Sequence, residues 1–398
     1  MMSTQMTSKL AKFPIFKVLC VHTQMAFIFL AAAPVFGDAQ LDPVFHPIHA
    51  QEKHPPSPKE LPKEQRKDRQ DVFFTCDLLV WDSREEGLEY AYKNTKTQSN
   101  QELRAFEPES KFEPGFRIGC GGFLPYDEWI LGALYTYYST NRKESASHDF
   151  DVSAAPGPGM ISVWTYPSAF LNNNTAARFE RAHNHWKLHT SFLDLSLGRE
   201  CSIGSNFKLV PTFGVRAAWI HQRYEVDYNE GNAIVPSMGT PISILSSSIN
   251  MNCASNLVGP FFGCGTNWRL GHGWNLFSNT SGSILASHFH IGRGETDLFL
   301  NNTDTLQTES IRLHNEYWTF RPQAQIALGF RFIDTVSYQS RSIQYSFSAA
   351  YEAQIWWRQN GLLRYIDTLN STSSGAYVAS SQGDLMFHGV NIEAGVQF

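Results

Sequence analysis

Histidines come closest in this sequence to a catalytic or metal-binding arrangement. His183, His185 and His189 share one parity along the chain, and His288 and His290 stand two residues apart. Imidazoles bind metals or transfer protons when carboxylate or cysteine partners complete the site. Neither an HExxH nor a GxSxG motif accompanies them. We therefore predict no catalytic residues, no metal, no cofactor and no enzyme activity, and interpret the histidines as polar decoration of a strand surface.

Several long segments of the chain show period-two alternation of apolar and polar side chains. Residues 390–398 and 343–357 alternate in this way, and 318–332 place Arg321 and Arg331 on the polar face. Such alternation indicates strands with one apolar and one polar face. Strands of soluble proteins are usually about 5 or 6 residues long, whereas a tilted strand needs about 9 to 11 residues to cross a bilayer. These segments are long enough to span.

Composition supports a membrane barrel over a helical membrane protein. The 398 residues include 29 Phe, 15 Tyr and 10 Trp, and only 17% are charged, against about a quarter in soluble proteins. A helical membrane protein needs stretches of about 20 apolar residues, whereas a barrel strand has only every second residue in lipid. The net charge of -5 gives no sign of nucleic-acid binding. We predict no nucleic-acid partner.

The N-terminal residues predict export. Lys9, Lys12 and Lys17 precede an apolar run at 25–33, and small residues follow at 37 and 39, which is the pattern of a cleaved signal peptide over 1–39. Residues 40–71 are rich in Pro and Lys and cannot bury a core. We predict that they form an extended periplasmic linker.

The remaining chain, 72–398, predicts an all-β, antiparallel transmembrane β-barrel. Strand candidates fall at 72–92, 115–124, 129–140, 184–197, 207–226, 257–270, 274–290, 315–332, 343–358 and 384–398. Short connections alternate with long polar stretches at 141–183, 227–256, 291–314 and 359–383, as periplasmic turns alternate with extracellular loops in outer-membrane barrels. We predict about ten strands, or twelve if the first candidate breaks or 160–166 pairs.

Tryptophans lie near the ends of the predicted strands, which favours two aromatic belts at the membrane interfaces. The predicted girdle consists of Trp129, Trp186, Trp219, Trp268, Trp274, Trp318 and Trp357.

Seven stretches of the predicted barrel carry a family resemblance when taken together. They are FEPGFRIGCGGFLPYDEWILGALYTYYS from Phe112, WKLHTSFLDLSLGRE from Trp186, FGVRAAWIHQRYEVDY from Phe213, FFGCGTNWRLGHGWNLFS from Phe261, RPQAQIALGF from Arg321, YEAQIWWRQNGLLRY from Tyr351 and GDLMFHGVNIEAGVQF from Gly383. Jointly they resemble the major outer membrane protein-like family of Legionella and Chlamydia-related bacteria. The resemblance covers the whole predicted barrel and implies an abundant surface protein of the bacterial outer membrane with porin activity. The terminal Phe398 resembles the signal that the barrel-assembly machinery recognises. The family has no common catalytic residues to carry over.

A porin needs a water-filled lumen lined with polar groups, and lumen charge tunes ion choice. The predicted pore-lining residues are Arg117, Lys208, Arg216, Arg269, Arg321, Arg331, Glu352 and Glu393. Their excess of cations predicts a general diffusion porin for small hydrophilic solutes or ions, with weak anion preference. The alternative is that the arginines pair with carboxylates and plug a structural or adhesive surface barrel. The resemblance favours the pore.

Cysteines leave the oxidation state open. Once Cys20 has left with the signal peptide, five cysteines remain, and an odd count in an oxidising compartment indicates a free thiol or an intermolecular bridge. Cys201 falls in a predicted turn and Cys253 in a predicted loop. They are therefore the candidates for disulfide cross-linking of the envelope, as in chlamydial major outer membrane proteins, or within a homo-oligomer.

Overall fold

The fold was analysed in a computed structural model that describes residues 72–94, 103–124, 129–148, 159–165, 178–237, 240–300, 305–338, 341–370 and 373–398. All of these residues belong to one compact unit, Glu64–Phe398. The predicted signal peptide, 1–39, and the predicted linker, 40–71, lie outside the described residues. Among the described residues, no helix is long and apolar enough to cross a membrane.

Ten antiparallel strands close into a ring, which confirms the predicted barrel. In ring order they are β1 (Val72–Glu85), β4 (Phe112–Phe123), β5 (Trp129–Ser147), β7 (Arg178–Arg199), β9 (Phe207–Ser237), β10 (Thr240–Gly271), β11 (Trp274–Leu300), β12 (Leu306–Tyr338), β13 (Arg341–Trp356) and β16 (Leu385–Gln397). Strand β16 pairs with β1 and closes the ring. Closure satisfies both backbone edges of every strand, which the hydrocarbon interior of a membrane requires.

Six shorter strands lie outside the ring. They are β2 (Ala91–Asn94), β3 (Leu103–Phe106), β6 (Gly159–Ser162), β8 (Cys201–Ile203), β14 (Leu363–Asn370) and β15 (Ser373–Ser380). Strand β6 pairs with the start of β7, and β2 and β3 continue outward from it. The first strand candidate therefore does break, and residues near 160–166 do pair, but neither event adds a strand to the ring. The count of ten holds.

The register sets the tilt of the strands. Following paired residues once around the ring from Leu385 leads back to the same strand at Gln397, so the strands are staggered by 12 residues. Stagger and strand number together fix the tilt of a barrel, which is typically about 35 to 45°. A strand must therefore be longer than the bilayer is thick.

The tight connections lie at one end of the barrel, which we call the turn end. His272 and Gly273 form a two-residue hairpin between β10 and β11, with φ of 51° and 81°. Positive φ at both central residues is the type I′ turn that matches the twist of the flanking strands. A Cβ on Gly273 would lie 2.6 Å from the carbonyl oxygen of Ile333. Both chain ends of the ring meet here, because Val72 and Phe398 exchange backbone hydrogen bonds.

An apolar band encircles the outer face. Large exposed hydrophobic side chains run from Trp268 and Trp274 near the turn end to Trp219 and Trp318 farther up. Trp219 and Trp318 lie in one row of paired residues that crosses β9, β10, β11 and β12. This band is the surface that the sequence assigned to lipid. We call the end of the barrel beyond it the loop end.

Two predicted loops, 227–256 and 291–314, are mostly strand, so that prediction was wrong. Strand β9 continues to Ser237 and β10 begins at Thr240, while β11 continues to Leu300 and β12 begins at Leu306. The reason is that alternation changes sides above the apolar band. In β10, Ile249 and Met251 point inward and are buried, whereas the alternate residues Ser248, Asn250 and Asn252 are polar and face out. Above the apolar band the outer face meets water and the interior is packed, so apolar side chains point inward. Within the band the outer face meets lipid, so apolar side chains point outward.

Removing Phe398 is expected to impair barrel assembly. Its backbone pairs with Val72, and its ring stacks on Phe74 with centroids 6.0 Å apart, so the deletion weakens the seam where the ring closes. Folding is measured as heat-modifiable gel migration and outer-membrane yield. Phe398→Tyr is the matched control and should assemble normally. Normal yield of the deletion variant would contradict the expectation.

The strand connections predict which ends of the barrel antibodies can reach. The two-residue turn that follows Gly271 lies at the turn end with Val72 and Phe398, so an epitope tag inserted at Gly271 should stay unlabelled on intact cells. Tags at Asn173, Gly239 and Asn302, which lie outside the described residues, should be labelled. Permeabilised cells provide the positive control for Gly271, and labelling there before permeabilisation would invert the assignment.

Candidate functional site

The interior of the barrel contains most of the predicted pore-lining residues. The inward-facing members are Arg117, Arg216, Arg321, Arg331, Glu352 and Glu393. Lys208 and Arg269 share the inward parity of their strands, yet they lie at the mouth of the turn end and are largely exposed. The sequence therefore selected the right face of these strands. Whether the residues line a conducting path stays a prediction.

Arg117 on β4 forms the most buried of these ion pairs. Its two terminal nitrogens donate to the two carboxylate oxygens of Glu352 on β13, at 3.1 and 2.9 Å. Asp77 on β1 accepts a longer contact of 3.5 Å, and Thr136 accepts from Nε at 3.0 Å. Strands β1 and β16 lie between β4 and β13 in the ring. The pair therefore crosses part of the lumen instead of linking neighbours.

A second ion pair joins β7 and β9. Arg216 donates from Nε and a terminal nitrogen to both oxygens of Asp194, each at 2.7 Å. Its other terminal nitrogen reaches Gln323 on β12, beyond β10 and β11. The guanidinium also lies 5.4 Å from the ring centroid of Phe261. Bidentate geometry of this kind fixes the position of an arginine.

Arg331 and Arg321, the other two inward arginines that the sequence predicted to line the pore, differ in their partners. Arg331 contacts Glu393 at 3.1 Å in a partly exposed pair. Arg321 lies 5.1 Å from the ring centroid of Phe289, and among the described residues no carboxylate lies within salt-bridge distance of it. Three of the four arginines are therefore neutralised by carboxylates. This is the arrangement that the sequence allowed as the alternative to an open pore.

A cavity of about 410 Å³ lies beside these pairs. Charged walls come from Arg117, Arg216, Arg331, Glu352 and Glu393, and threonine, serine and asparagine side chains supply further polar groups. A space of this size with polar walls can hold water. The wall thus has the chemistry of an aqueous vestibule.

An aromatic layer crosses the lumen. Phe192 on β7 stacks on Trp356 of β13, with centroids 4.8 Å apart and planes at 19°. Four strands separate β7 from β13 in either direction around the ring, so the two rings meet from opposite walls. Trp81, Tyr138 and Phe387 pack on one another with centroid separations of 5.5 to 5.8 Å, and the Phe387 ring lies 6.3 Å from that of Phe192. All five side chains are buried, so water does not reach this layer.

Connecting segments fill the interior above the aromatic layer. Gln359 and Asn360 follow β13 and are fully buried. Gln359 donates to Ser255 on β10 at 2.6 Å, and Asn360 donates to the carbonyl oxygen of Glu86 at 2.8 Å. Tyr224 on β9 donates to the carbonyl oxygen of Leu88 at 2.6 Å. The segments 86–90 and 357–363 are thereby fastened to the barrel wall.

Most of the tryptophans predicted for the girdle lie on or beside the outer apolar band, and their place at a membrane interface stays a prediction. Trp219, Trp268, Trp274 and Trp318 are exposed on the apolar band, Trp129 contacts Phe213 of that band at 6.1 Å between centroids, and Trp357 follows β13 beside the exposed Phe320. Trp186 was assigned wrongly. The Trp186 side chain points inward and is buried. Its Nε1 donates a hydrogen bond to Gln222, and the guanidinium of Arg142 lies over its ring. The reversal of alternation above the band is the reason.

The five cysteines in the described part of the chain are free thiols. Cys201 is partly exposed at the turn end, as predicted. Cys253 was placed wrongly in a loop, because it lies on β10, points inward and is buried against the segment at Gly361. An intermolecular bridge through Cys253 would require the interior to open. Cross-linking through Cys201 stays a prediction.

Sequence reasoning missed the carboxylates Asp77 and Asp194 and the aromatic pair Phe192 and Trp356. Asp77 lies on the inward parity of β1, which would have identified it. Phe192 and Trp356 are large apolar residues on the polar parity of their strands. Large apolar residues on the lumen face are a usable signal of a closed interior, because an open aqueous lumen would disfavour them.

Replacing Arg117 by alanine is expected to lower the free energy of unfolding by about 3 to 5 kcal/mol, because the buried Glu352 carboxylate loses its cationic partner and keeps only amide donors. Denaturant unfolding in detergent, followed by tryptophan fluorescence, provides the measurement. Arg331→Ala is the matched control. Its pair with Glu393 is partly exposed, so its loss should be about 1 kcal/mol or less. Equal losses in the two variants would contradict the buried role of Arg117.

The chain matches one protein family and is similar in fold to several solved outer-membrane proteins. The family model described as Legionella pneumophila major outer membrane protein precursor matches residues 65–398. No curated protein matches the chain at a significant level. Among solved structures, the outer membrane protease OmpT from Escherichia coli has 11% identity and a TM-score of 0.35, with 82% of this chain and 96% of that chain covered. The P. putida toluene transporter TodX has 10% identity and a TM-score of 0.26, with 83% and 89% covered. A Pseudomonas aeruginosa FadL homologue has 11% identity and a TM-score of 0.26, with 83% and 90% covered. On the family match, this chain belongs to the family of the Legionella pneumophila major outer membrane protein and is a β-barrel of the bacterial outer membrane.

Proposed function

We propose that this protein is a surface protein of the outer membrane that acts through its external face, with a lumen closed to solutes in its resting state. The observation that carries the proposal is the stack of Phe192 on Trp356, because these rings belong to opposite strands of the ring. Two rings stacked with centroids 4.8 Å apart leave no room for a solute between them. Their aromatic neighbours Trp81, Tyr138 and Phe387 are buried as well.

The free energy gained by burying these aromatic side chains favours a closed lumen over an open one. Burying an aromatic side chain stabilises the folded state by about 1.5 to 3 kcal/mol, and aromatic pairs add roughly 0.5 to 1.5 kcal/mol. The fastened segments 86–90 and 357–363 lie over the layer and share its buried surface. Opening the lumen would expose several such groups together.

The strands beyond the apolar band support a role at the cell surface. From Trp219, strand β9 continues to Ser237, which at about 3.3 Å per residue is roughly 60 Å of strand. Strand β10 runs back beside it. The outward residues of this region are mostly polar, as in Ser248 and Asn252. An extended hydrophilic hairpin of this size is a suitable platform for contacts with other envelope or surface components.

A diffusion porin is the second candidate, and the polar cavity of about 410 Å³ favours it. Transport of small hydrophilic solutes or ions would require the aromatic layer to move. The pairs of Arg117, Arg216 and Arg331 with carboxylates reduce the cation excess from which an anion preference was expected. Arg321 would then contribute most to any weak anion selectivity.

Two further expectations accompany both candidates. The apolar band is proposed to contact outer-membrane lipid, and Phe398 is proposed to contact the barrel-assembly machinery. We also keep the prediction that the protein is not an enzyme and needs no cofactor for its main role.

Conductance in planar bilayers separates the two candidates. The wild-type barrel should show little or no steady conductance, and Phe192→Ala with Trp356→Ala should raise it because both rings leave the closure. Trp318→Ala with Phe320→Ala is the matched control, since these aromatic residues face outward and their loss should leave conductance unchanged. Heat-modifiable migration confirms that each variant is folded. Steady wild-type conductance, with a reversal potential that reports ion preference, would overturn the closed barrel in favour of the porin.

A further inference from the structure

A cluster of three histidines and one glutamate lies on the outer face of β11 and β12. His288 and His290 are two residues apart on β11, and Glu316 on β12 is the paired residue of His290. His314 precedes Glu316 by two residues on β12 and lies on the same face. These residues share the outward parity of Trp318, so the cluster lies just beyond the apolar band, toward the loop end.

The side chains converge on one point. His290 Nδ1 and His314 Nε2 each lie 3.0 Å from the same carboxylate oxygen, Oε1 of Glu316. Ligand atoms of His288, His290 and Glu316 all lie within 4.8 Å of one another. Separate hydrogen bonds to solvent would not require this convergence. Two imidazoles aimed at one carboxylate oxygen surround a position where positive charge is favoured.

The backbone and a tryptophan hold the cluster in place. The pairing of β11 with β12 continues without a break from Trp274 and Phe332 to Leu300 and Leu306. The His288 ring stacks on Trp318 with centroids 4.4 Å apart and planes at 12°. Small side-chain rotations on such a rigid frame bring donor atoms to metal–ligand distances, which are about 2.0 to 2.2 Å for nitrogen and oxygen on zinc.

We propose that His288, His290 and Glu316 bind a divalent transition-metal cation, with Zn²⁺ as the representative ion. Imidazole and carboxylate donors suit zinc, copper and nickel, whereas magnesium and calcium prefer sites built from oxygen alone. His314 either becomes the fourth ligand or donates to the Glu316 carboxylate as an orienting partner. The cluster is partly open to solvent, so the ion has a direct path of entry.

The sequence alone favoured interfacial decoration for His288 and His290 because no carboxylate partner was visible nearby in the chain. Register supplies that partner, since Glu316 lies 26 positions after His290 but directly opposite it on the neighbouring strand. A bound cation would join β11 to β12 where the strands leave the apolar band. It would therefore stabilise the part of this hairpin that extends beyond the membrane.

Zinc binding to the untagged, full-length mature barrel in detergent tests the proposal by titration calorimetry. We expect one saturable Zn²⁺ site per chain. His288→Ala with His290→Ala should weaken binding by at least about tenfold, because even the loss of an orienting partner costs about 10 to 100-fold in metal affinity. Zn²⁺ should also raise the unfolding temperature of the wild type and leave that of the double variant unchanged.

His183→Ala is the matched control, since His183 is an exposed histidine on β7 outside the cluster, and it should bind Zn²⁺ as the wild type does. Glu316→Gln keeps the size of the side chain and removes its charge, so it should also weaken binding and serves if the double variant does not fold. The proposal is overturned if the wild type shows no saturable site. It is equally overturned if His288→Ala with His290→Ala, or Glu316→Gln, leaves the affinity unchanged.

Discussion

The outer face of the barrel meets lipid along one part of the long strands and water along the rest. The level at which lipid gives way to water determines whether the apolar side chains of a strand point outward or inward. Below that position the outer face meets lipid, so apolar residues such as Phe213 and Val215 of β9 point out. Above it the outer face meets water, and Tyr224 and Val226 of the same strand point in. A single strand can change its apolar face because side chains alternate with strict period two. The interior therefore has to be packed wherever the exterior is wet.

The same requirement explains why the lumen closes where it does. Inward-facing aromatic and aliphatic side chains from opposite walls need a partner surface, and in a ring of ten strands they reach one another, as Phe192 reaches Trp356. The segments 86–90 and 357–363 cover the remaining apolar surface and place their polar groups against Ser255 and Tyr224. Below this layer several inward residues are charged, and Arg117 reaches Glu352 across part of the lumen because the ring is narrow.

Sequence reasoning identified the features that depend on local alternation and missed those that depend on distance across the ring. All ten strands of the ring were expected, because tight turns such as the one at Gly271 and long alternating runs are local signals. The inward position of Arg117, Arg216 and Glu352 followed from parity alone. Their partners did not, since Arg117 and Glu352 are far apart in the chain and on strands that are not neighbours. Trp186 was misplaced because its position near a predicted strand end was taken to indicate a membrane interface, whereas β7 begins earlier, at Arg178, and the Trp186 side chain packs in the interior.

The aromatic layer and the charged layer below it differ in how strongly each would resist opening of the lumen. An exposed ion pair contributes only about 0 to 1 kcal/mol, so the pairs of Arg117 and Arg216 would weaken in a hydrated lumen but would leave solvated charges that water tolerates. Water does not compensate the aromatic side chains in this way, because moving them apart without a new apolar partner exposes apolar area that is now buried. The charged layer also borders the polar cavity, so water is already close to it. Resistance to opening is therefore concentrated at Phe192, Trp356 and their neighbours, and the charges beside them would select among solutes only after those rings had moved.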